Sequence, residues 1–143
     1  MAKGKKKNEE QWSSSKTGKE FELFFLHKLY ECMRENRVKC DVFQPLVDDN
    51  GIDYVIRLPK GTYVELQIKA REEKRLFTID NTFTERPNYW FVFYCKNQQG
   101  GYDCYRLKSK KVKNILTKHK NHLRIKEELE KDKVHDFKCF LEA

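Results

Sequence analysis

The chain has 143 residues, enough for one domain with one core and too few for a comfortable second. Hydrophobic residues at 38% and aromatics at 13% support a folded domain despite a charged fraction of 36%. No apolar run approaches bilayer length and no apolar signal segment follows the basic N-terminus, so a cytoplasmic protein with no membrane partner is expected. A net charge of +8 favours a polyanionic partner. The cysteines (Cys32, Cys40, Cys95, Cys104 and Cys139) are widely spaced with no C-x-x-C pair, which argues for reduced, structural thiols and against a zinc knuckle or disulfide framework.

In chain order, residues 1–13 read as a basic tail expected to be disordered, with Lys3, Lys5, Lys6 and Lys7 clustered in it; residues 14–143 read as one domain. The first element is predicted as a helix over Thr17–Asn36. Thr17 is its expected N-cap and Glu20 the returning partner of a capping box, ahead of an apolar stripe of Phe25, Leu26, Leu29 and Met33. Strands are predicted over Lys39–Leu46, Ile52–Leu58 and Tyr63–Arg71. The turn residues Asp48-Asp49-Asn50-Gly51 and Pro59-Lys60-Gly61 between them make the three an antiparallel meander. Leu76–Ile79 has the pattern of a short strand within an otherwise ambiguous stretch. Tyr89–Cys95 reads as a buried strand, Tyr102–Leu107 as another, and Lys110–Lys118 and Leu123–Lys131 as helices. The sum is an α/β domain with a central mixed sheet flanked by helices.

The chemistry concentrates in two of these runs. Strand alternation sends Val64, Leu66, Ile68 and Ala70 to one face and leaves Glu65, Gln67 and Lys69 as a polar row on the other. Ile52, Tyr54, Ile56 and Leu58 likewise share a face, with Asp53 opposite, and a tight turn brings Asp53 beside the polar row. Glu22 lies three and four residues before Phe25 and Leu26, at the N-terminal end of the apolar stripe. An acid on a packing face is costly unless paired, and a divalent cation shared with Asp53 would pair it.

Gly18-x-x-Phe21-Glu22, Gly51-Ile52-Asp53 and Gln67-x-Lys69 together resemble the motifs of the PD-(D/E)XK nucleases, most of all the archaeal Holliday junction resolvases and Mrr-type restriction nucleases. The resemblance runs in order from about Thr17 to Arg71. It implies a restriction-endonuclease-like core, a DNA substrate and a Mg²⁺ cofactor, with Mn²⁺ as substitute. Asp53 would ligate the metal, Glu22 would bind or orient it, and Lys69 would assist the attacking water or the developing charge. Gln67 stands where the superfamily usually has an acid. Glu65, on the same strand face but about 6.6 Å further along at ordinary strand rise, is a candidate third carboxylate. Members often dimerise to cut two strands, so a homodimer is expected by analogy.

Nine Lys/Arg and no Asp or Glu lie between Arg106 and Lys126, and Lys108, Lys110, Lys111 and Lys113 are the candidate phosphate contacts. His27, His119, His122 and His135 do not have metal-ligand spacing, and Trp90 with its aromatic neighbours is expected to be core. The competing reading is a catalytically inactive DNA-binding or protein-interaction module that keeps the fold while Gln67 disables the metal site.

Overall fold

The structure is a computed structural model that describes the backbone of residues 2–46, 51–71, 76–124 and 128–142, and the side chains within those ranges from residue 19 onward, Arg71 excepted. Helix α1 (Ala2–Asn36) is followed by β1 (Asp41–Phe43), β2 (Tyr54–Arg57), β3 (Tyr63–Arg71), β4 (Leu76–Thr78), β5 (Tyr89–Lys96) and β6 (Tyr102–Lys108). Then come α2 (Ser109–Lys118), β7 (His122–Arg124), a 3₁₀ turn at Glu130–Asp132 and α3 (Lys138–Leu141). The main sheet has the order β1-β2-β3-β5-β6, and β4 and β7 form a separate two-stranded sheet.

The first three strands are antiparallel, as their turn residues require, whereas β3 and β5 run parallel in the register Glu65↔Tyr89 through Arg71↔Cys95. A parallel pair needs a crossover, and residues 72–88 supply it. The outcome is a mixed central sheet flanked by helices, as the sequence predicts. Its two faces build two cores. On one, Phe21, Phe25 and Leu29 of α1 pack on Ile56, Val64, Leu66, Val92 and Tyr94. On the other, Val112 and Leu116 of α2 pack with Leu123 on Phe91, Phe93 and Leu107. Phe25 is fully buried, stacked on Tyr54 and edge-on to Phe140, so Phe25→Ala would cost about 3–5 kcal/mol. The edge strand β6 is partly covered: the Val134 amide donates to the Cys104 carbonyl at 2.7 Å and carries the chain toward α3.

Two expectations are corrected. Helix α1 runs from Ala2 to Asn36, so Thr17 lies inside it instead of capping its start. No proline interrupts that stretch, and its Lys, Glu, Gln and Ser residues are tolerated in helices. The segment expected as a helix over Leu123–Lys131 begins instead as β7, paired with β4 in the register Phe77↔Leu123. That pairing buries both side chains, a tertiary gain that outweighs the weak helical pattern. Smaller shifts trim the first two strands: β1 and β2 are shorter than the apolar runs that announce them.

Candidate active site

Strand β3 alternates as expected. Val64 and Leu66 are buried under α1, so Glu65, Gln67 and Lys69 lie on the side of α2. Tyr54 pairs with Leu66 and points into the α1 core, which sends Asp53, one step earlier, to the polar side across from Gln67. Backbone pairing continues through this step, since the Asp53 amide donates to the Leu66 carbonyl at 2.8 Å. Asp53 Oδ2 in turn accepts the Ile68 N–H at 2.6 Å. The carboxylate is thus pinned between Gln67 and Lys69 by the backbone of the residue that separates them.

Gln67 is held on three sides. The Tyr89 hydroxyl lies 2.5 Å from its amide. With the amide oriented so that each atom meets a complementary partner, Nε2 faces the Tyr89 hydroxyl and the Gly51 carbonyl at 3.2 Å, and the oxygen accepts from Lys69 Nζ at 3.0 Å. Gly51 has φ +69°, and a β-carbon there would sit about 3.0 Å from the end of the Gln67 amide. Both the turn and the close approach therefore call for glycine, which gives the Gly51-Ile52-Asp53 motif its local reason.

Glu22 enters from α1. Burial pushes the Tyr54 hydroxyl up to about 12, and the Glu22 and Asp53 carboxylates act in the same direction. Two acids, one on α1 and one just before β2, thus bear on one buried phenol. Glu22 also lies 3.9 Å from Lys19 Nζ, one turn earlier in α1. Glu20, on the same helix, is exposed.

Glu65, the candidate third carboxylate, forms an ion pair with Arg86 through one of its oxygens at 2.5 Å. Among the described residues no group of three or more His, Cys, Asp and Glu side chains converges as a metal cage. The hard oxygen donors here are the Asp53 carboxylate beside the Gln67 amide and, from α1, the Glu22 carboxylate, which bears on the same Tyr54 as Asp53 does. Hard oxygen donors in that number fit Mg²⁺, which commonly takes one or two carboxylates and fills its octahedron with water and phosphate.

A supporting chain was not legible in the sequence. Buried Ser109, the first residue of α2, accepts from the Arg86 amide and donates to the Arg86 carbonyl, both at 3.0 Å. Arg86 then pairs with Glu65 and lies 4.5 Å over the Tyr89 ring, whose hydroxyl contacts Gln67. Only the parallel β3–β5 register brings Tyr89 beside this row, and no local pattern announces that register.

The four candidate phosphate lysines do not form one patch. Lys108 Nζ lies over Trp90 on the α1 side, whereas Lys113 donates to the Phe83 carbonyl on the α2 side. Lys111 is paired with Asp132 at 2.8 Å, and Lys110 is exposed. Exposed His27 sits 3.4 Å from Glu31; Tyr89, Phe91 and Phe93 are core, as expected, whereas Trp90 is only partly buried. Cys32, Cys40, Cys95 and Cys104 are buried free thiols. Among the described residues no helix is long and apolar enough to cross a membrane.

No protein-family model matches the chain, and no curated protein matches it either. Among solved structures it is similar to a bacterial homing endonuclease at 14% sequence identity and a TM-score of 0.44, over 78% of this chain and 77% of that one.

Proposed function

We propose that this chain is a metal-dependent endonuclease that hydrolyses DNA phosphodiester bonds, a Q-x-K variant of the PD-(D/E)XK nucleases using Mg²⁺ or Mn²⁺. One observation carries the reading. Asp53, Gln67 and Lys69 share one face of two paired strands, with the Asp53 carboxylate fixed by the Ile68 amide between the other two. A bound cation would supply a Lewis acid that activates water and offsets charge on the phosphate. Asp53 and Glu22 are its proposed ligands. The Ile68 N–H fixes the orientation of Asp53 before any ligand arrives, so little reorganisation is left to binding. Lys69 is the proposed stabiliser of charge developing on the phosphate. Its ammonium is held by the Gln67 oxygen, a neutral partner that leaves its charge uncancelled.

The competing reading, an inactive nuclease-fold binding module, draws on the same glutamine. An amide already engaged with Tyr89, Gly51 and Lys69 serves as a structural tie whether or not a metal binds. Calorimetric titration with Mg²⁺ and Mn²⁺ separates the two. The nuclease reading expects millimolar or tighter binding by wild type that Asp53→Asn abolishes. No binding by wild type at those concentrations would leave the binding module.

A further inference from the structure

The layer covering the candidate site's sheet face carries a feature that catalysis does not use. Between the C-terminal half of α2 and β7 runs an open groove of about 770 Å³, lined by Lys111, Lys118, Lys120, His122, Arg124 and Glu128, with His119 and Asn114 beside them. Resting on the proposal that DNA is the substrate, we infer that this groove holds the phosphodiester backbone of duplex DNA, with Lys118, Lys120 and Arg124 as its phosphate contacts.

The charges in the groove are not equivalent. Lys111 is neutralised by Asp132 at 2.8 Å. Glu128, the acid of the groove, faces the Arg124 backbone amide at 2.5 Å and His119 Nε2 at 3.5 Å. His122 Nδ1 lies 3.4 Å from the Thr78 hydroxyl. Among the described residues no carboxylate pairs with Lys118, Lys120 or Arg124, and all three are exposed. The ordinary account of a lysine in the last turn is complementarity to the helix dipole, and it covers Lys118. It does not cover Lys120 and Arg124, which lie beyond the helix.

Lys120 carries a second mark. Its φ is +53°, left-handed backbone that favours glycine or asparagine; the adjacent Asn121, at +67°, fits that preference and Lys120 does not. A lysine where glycine or asparagine would be less strained is a second feature setting this cation apart. The groove also belongs to the layer whose core packs α2 and β7 against the sheet face bearing Gln67 and Lys69. DNA seated there lies on the same side of the sheet as the proposed site.

The test measures binding of the full chain to a short DNA duplex in EDTA across a salt titration, so that no catalytic step enters. The variant Lys118→Gln/Lys120→Gly/Arg124→Gln is expected to bind on the order of tenfold or more weakly. Its log–log salt slope should be shallower by about 2.7, or about 0.9 for each phosphate that is no longer neutralised. Lys120→Gly alone is expected to weaken binding severalfold with its thermal midpoint unchanged or raised, a combination that a purely structural lysine would not give. Lys118→Arg/Lys120→Arg should bind as wild type does. A triple variant with wild-type affinity and slope overturns the groove, as does tighter binding of an RNA duplex or no DNA binding by wild type. Cleavage in Mg²⁺ is scored separately. A protein that cuts DNA while the triple variant binds normally loses the groove and keeps the nuclease; one that never cuts while the triple variant loses binding keeps the groove and loses the nuclease.

Discussion

Asp53 accepts the Ile68 amide proton at 2.6 Å in a half-buried setting, so alanine and asparagine at this position are different perturbations. Asp53→Ala leaves that N–H without its acceptor, and an orphaned, partly buried donor costs about 1–3 kcal/mol. For a chain of 143 residues, at about 4 °C per kcal/mol, the thermal midpoint should fall by roughly 8 °C for a 2 kcal/mol loss. Asp53→Asn keeps an oxygen acceptor and gives up only the charge. Its midpoint should therefore stay within about 4 °C of wild type. Both variants should lose Mg²⁺-dependent cleavage. Differential scanning calorimetry paired with a plasmid-cutting assay reads both effects. The reasoning is refuted if alanine is no more destabilising than asparagine, because Asp53 would then not be tied to Ile68. It is refuted equally if asparagine leaves cleavage intact.

Gln67→Glu replaces the amide N–H that faces the Gly51 carbonyl by a carboxylate oxygen, so without metal the variant should be less stable by about 1–2 kcal/mol. Mg²⁺ should reverse the deficit and bind roughly tenfold more tightly, which calorimetry with and without the ion will report. Ser109→Ala removes both bonds to Arg86 and should cost about 2 kcal/mol; cleavage should also fall if Arg86 and Tyr89 position Gln67, and chemical denaturation beside the cutting assay checks both. The Tyr54 hydroxyl has its value raised from 10.0 to about 12 in the folded chain, so its contribution to stability is complete below about pH 10 and is lost as pH rises through about 12. Tyr54→Phe should therefore flatten the alkaline end of the stability profile measured by urea denaturation.

Strong local patterns carried much of this fold into the sequence. The period-2 alternation of Tyr63–Arg71 gives β3 its full length and puts Glu65, Gln67 and Lys69 on one face. The turn chemistry around Gly51 and Gly61 gives the meander, so Asp53 arrives beside Gln67 as expected. What was hidden depends on partners distant in the chain. Glu65 is an acid on the correct face, yet its pairing with Arg86 follows from the crossover that places Arg86 beside β3, which no spacing encodes. Leu123 looked helical because the apolar residues after it recur loosely, and only its pairing opposite Phe77 makes it a strand. The lysines of the 106–126 run are adjacent in sequence but leave the strand and helix in different directions, so a charge count located the basic region without locating its groove. Thr17 had the residue types of a helix start, but a cap needs the preceding backbone to leave the helix, and here it continues.

The central claim is that Asp53, Glu22, Gln67 and Lys69 form a working hydrolytic site, and cutting of DNA tests it most directly. Wild type, Lys69→Met and Asp53→Asn should be incubated with a panel of duplex, nicked and branched DNA in Mg²⁺, in Mn²⁺ and in EDTA. The account predicts that wild type cuts at least one substrate with either metal and none in EDTA. Lys69→Met should still bind Mg²⁺ but leave every substrate intact, and Asp53→Asn should neither bind nor cut. Wild-type protein that leaves the whole panel uncut in both metals, or cutting that persists in Lys69→Met, would contradict it.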